Sequence, residues 1–456
     1  MDLFTYLECQ LASFDEEPFN AVDSAVLTQC CMTRIADAAA APLETDGKET
    51  KTAASTSPSA STKRLLEEEP IHFSDLLDTD RFKITVTGPQ TGDVERELGL
   101  LAASPRYQDL EISNYVEVFE ETAHTQFAAM TFTYRQEWAY VGFRGTDGSF
   151  AGWRENFDMA LEPPVGCQQL AVEHLEAEAR RLPCKLYTGG HSKGGNIATY
   201  AALRCTKDVQ SRIARVYDHD GPGFKTGFID RTEFDALDGR MHRTVPVDDV
   251  VGQIMDTPVP TRAVMSNGRG FEQHSVFAWE VADAMNDFVY EPDLSETSKI
   301  THRILDEWLA SFSDDELPLV IDAVFETIEA SGVTRVGEFF EGSSTIVGLI
   351  IEVAKKLEPE KRDMVLPALK SFARIAAKET ARGASQATQD AARAAREKLQ
   401  RRRPFGTNLE EGASKHLVQR SEHVVDTANL EHQNLDIEPS TEEAGIADDE
   451  SVCDKD

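Results

Sequence analysis

The stretch Cys184-Lys185-Leu186-Tyr187-Thr188-Gly189-Gly190-His191-Ser192-Lys193-Gly194-Gly195-Asn196-Ile197-Ala198 decides how the chain is read. Residues 184–188 read as a strand running into Gly189-Gly190, and 197–205 read as a helix. Between them, Gly190-His191-Ser192-Lys193-Gly194 fits G-x-S-x-G in the strand–turn–helix context that the motif needs. Small residues on both sides let such a turn close without Cβ clashes. The serine oxygen then stands exposed above a sheet, and the Lys193 N–H, at a helix N-terminus, is placed to donate to an oxyanion. Gly194, Gly195 and Ala198 allow the helix to pack close. The plain alternative is a glycine-rich turn with an incidental serine. A phosphate loop is disfavoured because 189–195 lacks the G-K-[ST] ending. A Ser192–Lys193 dyad is disfavoured because adjacent side chains diverge on an elbow.

Outward from this point, strand-like and helix-like segments alternate from about residue 71 to 288. Residues 138–143, 213–217, 241–247 and 261–265 read as strands, and 168–182 as an amphipathic helix. This alternation predicts an α/β architecture: a mainly parallel sheet flanked by helices, in the manner of an α/β-hydrolase. A nucleophilic serine on that scaffold needs an acid and then a histidine further along the chain. His274, just after a strand in Phe271-Glu272-Gln273-His274-Ser275, is the natural base; His242 and His219 compete. The acid is Asp248 or Asp249, which follow a strand and point to opposite sides, with Asp218 and Asp220 as plausible alternatives. Its task is to hold the imidazole's tautomer and stabilise its charged form. The turn Phe143-Arg144-Gly145-Thr146-Asp147 closes an earlier strand, and Thr146 there could supply a second oxyanion donor. Trp153 and Phe157 are expected in the core.

Across 456 residues, 46 Lys+Arg face 80 Asp+Glu, a net charge of −34. A surface this acidic disfavours nucleic acid and anionic lipid, which need Lys/Arg-rich footprints. Apolar residues make up 41% of the chain, enough for a large core. No run of 18 apolar residues occurs; the strongest candidate, 346–353, is too short to span a bilayer. The start, Met1-Asp2-Leu3-Phe4-Thr5, has neither a basic region nor an apolar signal segment. The seven cysteines include no C-x-x-C and no zinc spacing. Free thiols and a cytoplasmic location are therefore expected, with no metal or organic cofactor.

Five regions are expected. Residues 1–41 form an N-terminal segment of the main domain, and 42–70 a disordered insertion rich in Thr, Ser, Ala and charge. Residues 71–298 form the α/β domain and 299–403 a helical C-terminal region. Residues 404–456 form an acidic disordered tail.

Phe143-Arg144-Gly145-Thr146, Gly190-His191-Ser192-Lys193-Gly194-Gly195-Asn196, Asp220-Gly221-Pro222-Gly223-Phe224 and Gln273-His274 with Trp279 resemble a bacterial lipase-like family, domain-of-unknown-function family 2974. That family sits among the α/β-hydrolases near the class 3 lipases. The similarity covers about residues 1–290 apart from the 42–70 insertion. It implies Ser192 as nucleophile, His274 as base, and Thr146 at the oxyanion position after F-R-G. In class 3 lipases the acid lies in a D-x-V-P string. Asp249-Val250-Val251-Gly252 matches this apart from the proline, which favours Asp249 over Asp248. The expected function is a serine hydrolase cleaving a small acyl ester or lipid. Net charge opposes adsorption to anionic bilayers, within a screening length of about 8 Å at physiological salt. The rivals are a catalytically silent hydrolase fold kept as a binding or scaffold protein, and an acyltransferase using the same residues.

Overall fold

A computed structural model describes residues 1–37, 61–66, 69–88, 90–120, 123–147, 150–313, 315–330 and 359–401. The apolar run 346–353 and the tail 404–456 lie outside these residues, as does all of 42–60. The chain divides into two compact units, Met1–Ala387 and Thr388–Asp456. Apart from residues 388–401 at the end of the last helix, everything described below lies in the first.

In chain order the elements are α1 Leu3–Cys9, α2 Ala21–Cys30, β1 Thr33–Asp37, β2 Ser61–Leu65, β3 Phe82–Val86, α3 Thr91–Ala103, β4 Leu110–Glu120, β5 Thr125–Tyr134 and β6 Trp138–Phe143. Then follow α4 Phe150–Leu161, α5 Gly166–Arg181, β7 Lys185–His191, α6 Lys193–Arg204, α7 Lys207–Arg212, β8 Ile213–His219, α8 Arg231–Asp235, β9 Met241–Pro246, β10 Thr261–Val264 and β11 Tyr290–Glu291. The last helices are α9 Glu296–Leu309, α10 Glu316–Ala330 and α11 Pro359–Arg401.

A nine-stranded sheet carries the order β11-β10-β9-β8-β7-β6-β5-β4-β2. Strands β6 through β10 pair in parallel. On the far side β2, β4, β5 and β6 pair antiparallel. Connection length explains the division. Strands β5 and β6 are joined by a tight turn whose Arg135 and Gln136 both have positive φ, 44° and 60°, as a hairpin requires. Strands β6 to β9 are joined through helices, the crossover that parallel pairing needs. The sheet is thus mixed, with its parallel block around the elbow strand. Residues 61–65, inside the stretch expected to be disordered, run as edge strand β2 against Tyr115–Phe119 of β4.

Side-chain alternation feeds two cores. Met130, Phe132, Trp138 and Tyr140 pack with α1, α2 and α3 on one face. Ala129, Val141 and Phe143 pack with α5 and α6 on the other. Every residue of α2 is buried, including Asp23 and Ser24. Asp23 is satisfied in place: Tyr6 and Tyr107 hydroxyls each donate to it at 2.7 Å, and Arg106 donates from Nε at 2.8 Å and from its terminal nitrogen at 2.7 Å.

Candidate active site

The elbow forms where β7 ends. Ser192 takes φ 57° and ψ −130°, and α6 begins at the next residue. Such a conformation costs of order 1–3 kcal/mol for a residue with a side chain and has to be imposed by its surroundings. Here the Ser192 N–H donates to His219 O at 2.9 Å, and its carbonyl accepts from the Gly195 N–H at 2.9 Å. Close backbone approach explains the flanking glycines. A Cβ on Gly190 would sit 2.2 Å from the Gly194 carbonyl carbon, and one on Gly194 would sit 2.3 Å from Phe143 O. Ser192 remains partly exposed. As the first residue of α6, Lys193 has an N–H without an intrahelical acceptor.

The rest of the motif braces this turn. The Lys193 side chain is buried: its Nζ donates to Gln126 O at 2.6 Å, to Gln126 Oε1 at 3.0 Å and to Glu155 Oε2 at 2.8 Å. The lysine therefore keeps its charge beneath the turn, paired with Glu155. Asn196 Nδ2 donates to Pro222 O at 3.0 Å and Gly223 O at 2.7 Å, stapling the Gly221–Gly223 loop to α6. Gln168 in turn donates to Asn196 Oδ1 at 2.9 Å. Asn196 belongs to the string that carries the resemblance, but neither Glu155 nor Gln168 stands out in sequence as part of a site, since each acts through a partner distant in the chain.

The 143–147 turn lies against the elbow. A Cβ on Gly145 would be 2.9 Å from His191 O and 3.6 Å from the Ser192 Cβ. Thr146 Oγ1 accepts from Asn156 Nδ2 of α4 at 2.9 Å. Arg144 is buried and donates to Glu117 Oε1 at 3.1 Å, the oxygen that also accepts from Arg34 at 2.6 Å.

His274 ends a short 3-10 turn, Gly270–His274. Its Nδ1 hydrogen-bonds Asp220 Oδ2 at 2.6 Å and lies 3.9 Å from Asp249 Oδ2. The nearest carboxylate is thus Asp220, while Asp249, favoured from the sequence, stands just behind it. The reason is the turn after β8: Asp220 adopts φ 57°, which swings its side chain beneath the histidine. Its Oδ1 accepts from the Gly252 N–H at 3.1 Å. Asp248 faces elsewhere, with its N–H donating to Gln273 Oε1 at 3.3 Å. Asp218 is occupied by an ion pair with buried Arg243. Of the competing histidines, His242 Nε2 meets the Tyr290 hydroxyl at 3.1 Å, and His219 Nε2 meets Ser24 Oγ at 3.0 Å.

Two contacts tie His274 to the elbow. His191, the residue before Ser192, hydrogen-bonds His274 O through Nε2 at 2.7 Å, and the two rings lie 4.6 Å apart. Trp279 Nε1 donates to Gln273 O at 2.8 Å and fixes the turn from below.

Electrostatics separate these groups. Burial opposes charge on His274, but the hydrogen bond to Asp220 and the charges of Asp220 and Asp249 outweigh it and raise its pKa. Burial, then the neighbouring Asp249, pushes Asp220 well above the usual carboxylate range, with His274 opposing. Burial, then His274, drives His191 far below the usual histidine value, so it stays neutral. Burial lowers His242 to about 4.

Asp220, Asp249 and His274 offer ligand atoms within 4.8 Å of one another. A cation does not fit between the closest two. Ligands about 2.1 Å from a metal and at right angles stand roughly 3 Å apart, whereas Nδ1 and Oδ2 are 2.6 Å apart, a hydrogen-bond distance. Among the described residues the cysteines are free thiols, and no helix is long and apolar enough to cross a membrane.

Fold and site together define a mixed α/β protein with a serine on a strained strand-to-helix elbow and a histidine hydrogen-bonded to a buried carboxylate. Residues 101–326 match the model of the Mbeg1-like family, a lipase-like family. Among solved structures, the native Rhizomucor miehei lipase propeptide complex is similar at 17% identity and a TM-score of 0.25, over 35% of this chain and 58% of that one. No curated protein matches the chain.

Proposed function

We infer that the protein is a serine hydrolase that cleaves a carboxylic ester. The observation that carries this reading is the conjunction at the elbow: a partly exposed serine at φ 57° follows His191, which hydrogen-bonds the carbonyl of His274, whose Nδ1 bonds a buried carboxylate at 2.6 Å. The match to a lipase-like family supports the same reaction class.

In this reading Ser192 Oγ attacks the ester carbonyl. With Nδ1 committed to Asp220, Nε2 of His274 takes the hydroxyl proton. The carbonyl oxygen becomes an oxyanion held by the Lys193 N–H and by Thr146, whose hydroxyl accepts from Asn156 Nδ2 at 2.9 Å and would turn its proton from Asn156 Oδ1, 3.3 Å away, to the oxyanion. Collapse expels the alcohol, which leaves with the proton from His274. Water, deprotonated by the same nitrogen, then attacks the acyl-enzyme and restores Ser192. Asp220 stabilises the imidazolium formed in each half-reaction. No step requires a metal or organic cofactor.

The test is intact-mass analysis after incubation with a fluorophosphonate, wild type beside Ser192→Ala, with an ester panel in parallel. The expected outcome is one adduct and ester turnover on wild type, neither on the variant, and closely similar thermal unfolding. Equal labelling or turnover in both would sink the assignment. Folded wild type that takes no label would favour a binding role for the same fold.

A further inference from the structure

The geometry points to Asp249 as a second, reserve acid: a positioning residue that can take over His274 Nδ1 when Asp220 is absent. This rests on the reading of Ser192 and His274 given above.

The two carboxylates reach one nitrogen from different loops, Asp220 from the end of β8 and Asp249 from the turn after β9. Their oxygens lie 2.6 Å and 3.9 Å from Nδ1. Both side chains are almost wholly buried. Consecutive amides of one 3-10 turn hold them: the Val251 N–H donates to Asp249 Oδ2 at 2.6 Å, and the Gly252 N–H donates to Asp220 Oδ1 at 3.1 Å. A Cβ on Gly252 would fall 2.3 Å from Asp220 Oδ1, so only glycine lets both acids crowd this turn. Helix α9 clamps the Asp249 loop from outside. Ser298 Oγ donates to Asp249 O at 2.8 Å, Ser295 N to Val247 O at 2.9 Å, and His302 Nδ1 bonds Gln253 O at 2.6 Å.

A hydrogen bond needs a separation of about 2.7–3.0 Å, so Asp249 has only about 1 Å to travel. What stands in its way is the other carboxylate. Burying two acids against one imidazole is costly for a purely structural purpose, since like charges in low dielectric disfavour each other's ionisation. One acid paired with an apolar neighbour would fold more cheaply.

The experiment compares wild type, Asp220→Gly, Asp249→Asn and the double variant. Glycine suits the φ of 57° at position 220 and vacates the space beside Nδ1. The expected result is that Asp220→Gly turns over ester at least tenfold faster than the double variant. The same single variant keeps the low-field Nδ1–H proton resonance of His274, which the double variant loses. Equal rates and equal loss of the resonance in the two would overturn the proposal. Asp249→Asn provides a reading independent of the strained position. Among the described residues, Asp220, Asp249 and His191 are titratable groups that face His274, and His191 stays neutral. Removing the Asp249 charge therefore moves the acid limb of kcat/KM to lower pH. An unmoved limb overturns the proposal as well. Fluorophosphonate labelling of wild type and Ser192→Ala, run alongside, separates failure of this proposal from failure of the hydrolase reading.

Discussion

Asp23 and Asp220 are both 0% exposed, yet the chain treats them in opposite ways. Asp23 is surrounded by donors: two tyrosine hydroxyls, two nitrogens of Arg106, and the Asn20 N–H at 3.0 Å. Asp220 has one imidazole and one backbone amide, sits on a left-handed backbone, and has another carboxylate at its side. A charge that is fully satisfied locks neighbouring elements together. One that is crowded, strained and aimed at a partly exposed histidine stores strain of the kind that clusters at functional sites.

The largest test of this contrast is Asp220→Asn. Asparagine tolerates the backbone but offers Nδ1 a donor, which favours the wrong tautomer. Ester turnover should fall by about 10^4-fold, with the melting temperature held or raised; a loss below tenfold would break the comparison from the functional side. Asp23→Ala should do the reverse. It strands Arg106 in the core, for about 3–5 kcal/mol of lost stability in denaturant unfolding. The fraction that stays folded should keep its kcat, and a variant as stable as wild type would break the comparison from the structural side. Thr146→Val keeps shape and removes the hydroxyl. It should lower kcat by about 10^2-fold with little change in KM, which a kcat-against-KM comparison reads directly.

The smallest effect is in pH. Because its two carboxylates raise the His274 pKa, the imidazole stays protonated, and unable to act as base, to higher pH than usual. The acid limb of kcat/KM should therefore have its midpoint above the ordinary histidine value of about 6.5. A midpoint below that value would mean that the carboxylates do not control His274.

Much of this site is visible in the chain because its signals are local. A strand, a run of glycines, a serine and a helix within some fifteen residues leave few conformations open, and Gly190 and Gly194 are demanded by contacts within the elbow and with the neighbouring strand. The order Ser192 before His274 is likewise a property of the chain. The choice among Asp218, Asp220, Asp248 and Asp249 is different in kind. All four lie at or just past the ends of strands of the same block, and sequence spacing treats them alike. The alternation argument separates Asp248, which faces Gln273, from Asp249, which faces His274. It could not see that a positive φ would bring Asp220 closer still.

The sheet divides in the same way. Helical connections between β6 and β9 made the parallel block legible, while the hairpins that turn the other side antiparallel depend on single residues such as Arg135 and Gln136 taking positive φ. The brace of Lys193 by Glu155 and Gln126 spans 38 and 67 residues, and that of Thr146 by Asn156 spans 10, so no periodicity announces it. By itself the sequence determined where the turn, its serine and the histidine stand along the chain, because backbone sterics and hydrophobic period act over short spans. Only the tertiary structure decided which carboxylate holds the histidine and which side chains brace Lys193 and Thr146, because those contacts rest on distances between segments that only packing brings together.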